Sequence, residues 1–222
     1  MKYKALVLDH DDTSVKSTPE IHYPAFLKTL ELLRPGETLS LEDFIGYNFG
    51  IGFIAMCNDV YHFTEEEMKI EVDIWREYTS AHIPDFYDGI EEIIRRQKEA
   101  GGIFCVVSHS FSDTILRDYS HHGLPAPDMV FGWELEEKYR KPSTYPLERI
   151  MEKYNLSPKD IAVIDDLKPG YDMTIAAGAD FYYAGWSESK TPETEGFMRE
   201  NGVRILSAPT DFLDINKQRK SI

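Results

Sequence analysis

Cysteine is scarce in this sequence, which has only two in 222 residues. Cys57 and Cys105 lie far apart in the chain, and each has apolar neighbours. Cysteines in such surroundings usually serve as small core side chains, so both are predicted to be reduced rather than joined in a disulfide. Neither has a second cysteine at the spacing of metal ligands, which argues against a thiolate metal site.

Positive charge is also in short supply. Lysine and arginine number 24 against 39 aspartates and glutamates, which gives a formal net charge of −15. Nucleic acids and anionic membranes attract basic surfaces, so neither is expected as a partner. The longest apolar runs have strand length, well below the ~20 residues of a membrane span, and no signal peptide is visible. We therefore expect a soluble cytoplasmic protein that is a monomer or a homodimer.

The chain does contain apolar runs with the length of buried strands, at 3–8, 103–107 and 161–164. Helix-period patterns separate the later runs, and this alternation is typical of parallel sheets with right-handed crossovers. The predicted fold class is therefore α/β, a three-layer Rossmann-like core. The other predicted core elements are helices at 112–122, 144–154, 170–177 and 192–201 and strands at 129–131, 181–184 and 204–206.

The segment 15–84 contains almost no strand signal, which predicts a helical insertion after the first strand. The core then comprises 1–14 and 85–222. The patterns at 64–67 and 88–91 match capping boxes, which predict helix starts there. The glycine-bearing stretch 46–52 is a candidate substrate-contact loop, although an ordinary interhelical turn would have the same composition.

Carboxylates follow two of the buried runs. Asp9 and Asp11 end the first, and Asp165 and Asp166 end the one at 161–164. The carboxyl ends of parallel strands are where open α/β folds bind ligands, and clustered carboxylates suit a hard cation such as Mg²⁺. Positions i and i+2 share one face of a strand, so both early acids can approach one reacting centre. A cation would keep Asp9 ionised and nucleophilic, while Asp11 could exchange protons.

Two further polar residues stand at strand ends or in loops of this core. Ser108 ends the run at 103–107, where a hydroxyl can contribute to a phosphate cradle, although serines there also cap helices. Lys141 precedes Pro142, which biases it to an extended conformation that can direct its ammonium into the cleft. An ordinary solvated loop lysine would have the same sequence.

Taken in chain order, these residues resemble the motifs of the haloacid dehalogenase superfamily, whose members are mostly phosphatases. The run 9–13 is similar to its first motif, Asp-x-Asp followed by Gly or Asp and Thr. Ser108 falls at the second motif, Lys141 with Pro142 at the third, and Asp165 with Asp166 at the fourth. The chain departs from the pattern at Ser14, where Leu or Ile usually follows, and at His109, where many relatives have Asn. His10 and His109 can flank the cleft or be bystanders.

The resemblance implies a specific site. Asp9 would be the nucleophile that forms an aspartyl-phosphate, and Asp11 the general acid and base. Mg²⁺ would bind the Asp9 carboxylate, the Asp11 backbone carbonyl and Asp166, with Asp165 in or next to that shell. The residues expected to bind the phosphoryl group are Ser108, His109 and Lys141. The segment 15–84 would be a small helical cap.

The expected function is Mg²⁺-dependent hydrolysis of a small phosphorylated metabolite. The dehalogenases of this superfamily lack an acid at the position of Asp11, because halide needs no proton to leave. The presence of Asp11 therefore argues against dehalogenation. A sugar phosphomutase similar to β-phosphoglucomutase is the alternative enzyme, and a phosphometabolite-binding regulatory protein is the alternative without catalysis. The formal charge of 15–84 is −7, from 5 basic and 12 acidic residues, which counts against bisphosphorylated substrates, with Arg34 and His82 as possible exceptions. A phosphonate hydrolase would need a Schiff-base lysine, and the surroundings of Lys16 and Lys28 do not resemble one. The Lys141-Pro142 bond is open to either isomer.

Overall fold

The computed structural model describes residues 1–217, and its centre is one parallel sheet of six strands. The spatial order is β3-β2-β1-β4-β5-β6, so the first strand in sequence lies in the middle. Each predicted strand is present within two residues of its expected bounds, and the α/β fold class is confirmed. The strands are β1 (Ala5–Leu8), β2 (Ile103–Val107), β3 (Met129–Phe131), β4 (Ile161–Asp165), β5 (Asp180–Ala184) and β6 (Arg204–Leu206).

The register of the central strands brings their carboxyl ends together. Leu8 of β1 pairs with Val106 of β2 on one side and with Ile164 of β4 on the other. The residues that follow these positions therefore meet at one edge of the sheet, as expected for parallel strands with a common direction. That edge receives the polar residues that follow β1, β2 and β4.

Helices between β1 and β2 enclose a hydrophobic cluster of their own, centred on Phe26, Leu30, Phe44 and Met56. Thr64 and Glu67 form the predicted capping box at the start of the longest helix. Whether this segment moves as a cap stays a prediction of the sequence. Its elements are α1 (Tyr23–Leu33), α2 (Leu41–Phe49), α3 (Phe53–Ala55) and α4 (Glu65–Ala81), with π-helical turns at Thr18–His22 and Met56–Val60.

Two neighbouring stretches of chain connect this helical segment to the sheet. Val15 bridges Phe86 in antiparallel fashion, and the Lys16 N–H donates to the Asp85 carbonyl at 2.9 Å. Asp12, with φ of +56°, accepts hydrogen bonds from the backbone N–H groups of the residues that open the first helical turn. The segment therefore leaves and re-enters the core through one paired hinge.

Helices cover both faces of the sheet and complete three layers. Alternate residues of a strand point to opposite faces, and Leu6 accordingly packs in one apolar cluster while Val7 packs in the other. Both cysteine thiols are free and buried, and burial raises the pKa of Cys105 to about 12. The core helices are α5 (Ile90–Glu99), α6 (Ser112–His121), α7 (Tyr145–Tyr154), α8 (Lys168–Ala177), α9 (Pro192–Glu200) and α10 (Asp211–Asn216).

Among the helices of residues 1–217, none has the length and apolar character needed to cross a membrane.

Candidate active site

Asp9 lies at the centre of the sheet edge, one residue beyond β1. Its backbone N–H donates to the Ile164 carbonyl at 3.0 Å, which continues the pairing of β1 with β4. Its side chain is almost completely buried and accepts a hydrogen bond from Nζ of Lys141 at 2.8 Å. Burial raises the pKa of Asp9 to about 7, with the nearby Asp165 and Asp11 adding to the increase while Lys141 opposes it. Asp9 is therefore a carboxylate that needs a nearby positive charge to stay ionised.

Lys141 supplies positive charge from beneath Asp9. Its Nζ donates to Asp9 and, at 2.7 Å, to Oδ2 of Asp165. Burial opposes its charge, but attraction to Asp165 and Asp9 outweighs it and raises the Lys141 pKa above its usual value. The Lys141-Pro142 peptide bond is cis. The sequence expectation that Lys141 points into the cleft, rather than into solvent, agrees with this geometry.

Three carboxylates converge next to Lys141. Oxygens of Asp9, Asp165 and Asp166 all lie within 4.8 Å of one another. Asp165 uses one oxygen on Lys141 and the other on the Leu167 N–H at 2.8 Å. Asp166 accepts only two long bonds, from the hydroxyls of Thr13 at 3.3 Å and Ser187 at 3.2 Å. Asp166, with two long bonds, and Asp9, with one bond at Oδ1, are therefore less engaged than Asp165.

The electrostatics of this cluster fit a divalent cation. Burial, together with the carboxylates of Asp12, Asp9 and Asp165, raises the pKa of Asp166 well above its usual value. Hard cations prefer carboxylate oxygens and offset this kind of repulsion. The residues present thus form a suitable donor set for Mg²⁺, with Asp9 and Asp166 better placed to bind it than the fully hydrogen-bonded Asp165.

Asp11 lies two residues beyond Asp9 and is held by a ring of hydrogen-bond donors. His22 Nε2 lies 2.7 Å from its Oδ1, and the Ser110 hydroxyl donates to its Oδ2 at 2.6 Å. Ser17 donates at 2.9 Å and Ser108 at 3.4 Å. Burial disfavours its charge, yet attraction to His22 and these hydrogen bonds hold the Asp11 pKa far below its usual value. Asp11 is therefore ionised in this arrangement and able to accept a proton.

Ser108 and His109 both border the cleft, as the sequence placed them, but they differ in what they offer. The Ser108 hydroxyl reaches Asp11 and accepts from the Ser110 N–H at 3.2 Å. His109 donates from Nε2 to the Lys141 carbonyl at 3.2 Å. Burial, reinforced by the Lys141 charge, lowers the pKa of His109 to about 3. A neutral His109 brings no positive charge to an anion, and its Nε2 is already in use.

His10 and Ser14 face away from the reacting carboxylates. His10 is buried, and its Nε2 lies 3.2 Å from Asp118 Oδ2. The Ser14 hydroxyl donates to the Asp9 backbone carbonyl at 2.6 Å, which supports the loop that carries the first motif. The departure from the family pattern at Ser14 is thus accommodated by a local hydrogen bond, and His10 has a structural partner.

A cavity of ≈ 150 Å³ borders Asp9, and side chains of the helical segment line its other side. Cavities of that size hold one small organic molecule. From the stretch 46–52, Asn48 lines this cavity, while Gly50 and Gly52 line a neighbouring groove. Residues 46–49 of the predicted contact loop are instead the end of α2, and Asn48 of that helix is what reaches the cavity.

Sequence reasoning missed several residues of this site. His22 and Glu71 line the cavity from the helical segment, and Ser110 bonds to Asp11. From the sequence, Ser110 was interpreted as a helix cap. Its closeness to Ser108 in the chain was the one signal that it could belong to the site. His22, in the turn before α1, and Glu71, on α4, have no local signal, because only the tertiary packing of the helical segment brings them to the site.

Residues 6–184 match the family described as haloacid dehalogenase-like hydrolase. This match spans most of the chain, so the chain belongs to that family. It is a hydrolase enzyme, and the predicted resemblance to this family is confirmed. No curated protein sequence matches it.

Solved structures with the same architecture cover nearly the whole chain. A protein described as a predicted phosphoglycolate phosphatase, from Haemophilus somnus, is 17% identical over 98% of this chain and 99% of its own, with a TM-score of 0.73. A protein provisionally described as a β-phosphoglucomutase, from Bacteroides vulgatus, is 20% identical over 96% and 87%, with a TM-score of 0.73. A CbbY variant from Rhodobacter sphaeroides, in complex with xylulose-1,5-bisphosphate, is 16% identical over 94% and 96%, with a TM-score of 0.73. Likeness at these identities establishes the fold and leaves the substrate open.

Proposed function

We propose that this enzyme hydrolyses a small phosphomonoester through a phosphoryl intermediate on Asp9. The observation that carries the proposal is the position of Asp9, between the ammonium of Lys141 and the carboxylates of Asp165 and Asp166. A carboxylate in contact with one cation and next to a second cation site is held ionised, as a nucleophile requires. Asp11 lies two residues away and can exchange protons at the same centre.

In the first step, an oxygen of Asp9 attacks phosphorus while the bond from phosphorus to the alcohol oxygen breaks. Asp11, which is ionised without substrate, takes up a proton from solvent before this step and gives it to the departing oxygen, so the alcohol leaves neutral. In the second step, Asp11 takes a proton from water, the resulting hydroxide attacks phosphorus, and the bond to Asp9 breaks. Inorganic phosphate leaves, and Asp9 and Asp11 return to their starting states for the next cycle.

The charges around Asp9 suit the transferring phosphoryl group, because such a transition state depends on alignment and charge neutralisation. Lys141 supplies a fixed ammonium, and Ser108 a hydroxyl at the end of the neighbouring strand. When bound, Mg²⁺ would be held by Asp9, the Asp11 carbonyl and Asp166, with Asp165 beside them, and would neutralise negative charge on the phosphoryl oxygens. The segment 15–84 acts as a cap that excludes water.

A bisphosphate-dependent mutase is less well supported by the cavity. A mutase of that kind needs a second phosphate subsite, yet no lysine or arginine of the described segment 15–84 lines the cavity. Arg34 is engaged by Glu67 and by backbone carbonyls, and His82 bonds to the Tyr78 carbonyl. The two residues that sequence analysis kept as possible exceptions therefore have other partners.

The test is phosphate release from a panel of small phosphomonoesters in Mg²⁺. Asp9→Asn is expected to lower turnover by at least about 10³-fold, because an amide is not a nucleophile here. The matched control is Asp73→Asn, which makes the same change of charge on an exposed position of α4 and is expected to have wild-type activity. Full activity in Asp9→Asn would contradict the proposed nucleophile. Isomerised sugar without free phosphate would instead support a mutase.

A further inference from the structure

Glu71 is a buried carboxylate with no partner in the protein. It lies on α4, is only 4% exposed and borders the cavity above Asp9. Within residues 1–217, no group donates a hydrogen bond to it and no cation lies within ion-pair distance. The buried aspartates of the core, by contrast, all have side-chain or backbone donors. Burial raises the pKa of Glu71 to about 7, with His22 opposing the increase.

Unpartnered buried carboxylates are costly, since a charged group loses its hydration without compensation. The cost is removed if a ligand brings a positive group or a hydrogen-bond donor to the carboxylate. Glu71 borders the same cavity as the proposed nucleophile, on the side formed by the cap. It is therefore placed to meet the alcohol part of a phosphoester whose phosphoryl group sits at Asp9.

Aromatic rings form much of that side, together with the side chains of Thr18, His22, Ile45, Asn48 and Val72. The rings come from the cap helices, from the loop after β2 and from the loop after β3. Trp75 stands one helical turn beyond Glu71 on α4, so its ring and the carboxylate belong to the same face of the helix. The aromatic residues that line the cavity are Phe26, Phe44, Phe53, Trp75, Phe111 and Trp133.

Aromatic faces and a carboxylate together select for organic cations. Ring faces carry partial negative charge and attract ammonium groups, most strongly where water is excluded. The same surroundings disfavour a substrate carboxylate or a second phosphate, because the basic lining residues already have partners in the protein. Lys141, the single lysine or arginine among the described lining residues, is engaged at Asp9 and Asp165, and His22 is engaged by Asp11 and Trp75. A sugar would leave most of its hydroxyl groups against apolar rings.

We propose that the alcohol part of the substrate carries a positively charged amino or quaternary ammonium group, which binds between the aromatic rings and pairs with Glu71. The substrate class is then an aminoalkyl or quaternary-ammonium phosphomonoester. This inference rests on the proposed phosphatase function and specifies its substrate. Glu71 is here a specificity-determining residue, whereas Asp9 and Asp11 carry the chemistry.

The test compares two esters of nearly equal shape that differ in charge. Phosphocholine carries a trimethylammonium group, and 3,3-dimethylbutyl phosphate has carbon in place of the nitrogen. The wild-type enzyme is expected to show a kcat/KM about tenfold or more higher for phosphocholine, as a desolvated cation–π contact with a paired carboxylate allows. Equal values, or a preference for the uncharged ester, would overturn the inference without any variant.

Glu71→Gln then assigns the preference to the carboxylate. It is expected to reduce the ratio of the two kcat/KM values towards one, because it slows phosphocholine hydrolysis more than hydrolysis of the uncharged ester. The matched control is Glu77→Gln on the exposed side of α4, which should keep the wild-type ratio. An unchanged ratio in Glu71→Gln would exclude the proposed pairing.

A third ester separates the two proposals. p-Nitrophenyl phosphate has a good leaving group and no cation, so its hydrolysis reports the phosphatase function alone. Hydrolysis of this ester without a preference for phosphocholine would refute the ammonium subsite and leave the proposed function standing. Absence of phosphate release from all three esters would count against the proposed function and, with it, against the substrate class.

Discussion

The indole N–H of Trp75 donates to Nδ1 of His22 at 2.8 Å, and the two rings stack with an interplanar angle of 9°. Indole is only a donor, so Nδ1 carries no proton in this arrangement. The Nε2 of His22 then carries the proton and donates it to Oδ1 of Asp11 at 2.7 Å. Helix α4 thereby orients the proposed acid and base through one imidazole.

Opposing effects determine the pKa of His22 in this chain of hydrogen bonds. Burial lowers it, while attraction to Asp11 and the hydrogen bond between them raise it above its usual value. Protonation also requires Trp75 to give up its bond to Nδ1. We predict that Trp75→Phe raises the His22 pKa further, as measured by NMR titration of the imidazole. Trp133→Phe, a ring of the same cavity without a bond to His22, should leave it unchanged. A lower pKa in Trp75→Phe would contradict the assigned tautomer.

The Asp11–His22 pair should also make stability depend on pH. A raised His22 pKa contributes stability that is fully present below its unfolded value of about 6.5 and is lost as pH rises through the folded value. Asp11 contributes above its unfolded value of about 3.9. The pair should therefore make its largest contribution to the stability of the folded protein between about pH 4 and 6.5. Urea denaturation of wild type and His22→Gln should show a larger difference in unfolding free energy at pH 5.5 than at pH 9, and an equal difference would refute this.

Lys141 should matter for stability as well as turnover. Its replacement by methionine leaves Asp9 and Asp165 buried without their shared cation. Breaking a buried ion pair by removing one partner typically costs about 3 kcal/mol or more. We expect Lys141→Met to lose that much unfolding free energy in urea denaturation, together with its activity. Lys159→Met, which removes an exposed lysine, should cost less than about 1 kcal/mol. A loss as small as that in Lys141→Met would argue against a tight pair.

Binding of Mg²⁺ should be visible without turnover. A ligand at 100 times its Kd stabilises the folded state by about 2.7 kcal/mol, which corresponds to roughly 5–10 °C in Tm for a chain of this size. We predict such an increase for wild type and its absence for Asp166→Asn, with Asp73→Asn as the control for lost charge. EDTA should stop turnover and added Mg²⁺ should restore it. Undiminished activity in EDTA would contradict the metal assignment.

The same substitution, glycine to alanine, should lower the activity at one position and leave it unchanged at another. A Cβ on Gly170 would collide with the carboxylate of Asp165, because α8 starts directly against that side chain. Gly170→Ala should therefore displace Asp165 and lower kcat by at least about tenfold. Gly196 lies within α9, and a Cβ there meets nothing within 4 Å. Gly196→Ala should keep full activity and gain up to about 1 kcal/mol from helix propensity. Equal kcat in both variants would show that Asp165 needs no fixed position.

The sheet and the central residues of the site could be predicted because each signal is local. Buried runs identify the strands, and parallel pairing brings the residues that follow them to one edge. Asp9, Lys141 and Asp166 were assigned from their place in this order, and the structure brings them together. The local signal of Lys141 alone was that of an ordinary loop lysine, so the roles of these residues were assigned from the resemblance of the ordered motifs to the haloacid dehalogenase superfamily.

The cap side of the cavity could not be predicted in the same way. An amphipathic pattern shows that α4 buries one face but not what that face meets, so Glu71 and Trp75 had no assigned role. The capping box predicted at 88–91 is wrong for a related reason. Gly89 occupies the N-cap with φ of +95° and no side-chain cap, and it packs against Thr210, a contact made by a distant part of the chain.

The position of β1 between β2 and β4 has a consequence for co-translational folding. Asp9, the proposed nucleophile, is synthesised early, but its strand has no neighbour on either side until much later parts of the chain are made. In such non-local strand pairing, the entropy cost of closing the loop between the strands comes before the stabilising contacts between them form. A nascent chain that ends after β3 lacks both Lys141 and Asp166, so it contains Asp9 without the charged residues that surround it in the folded protein. The proposed active site can therefore be complete only late in synthesis, and an incomplete chain is not expected to hydrolyse metabolites.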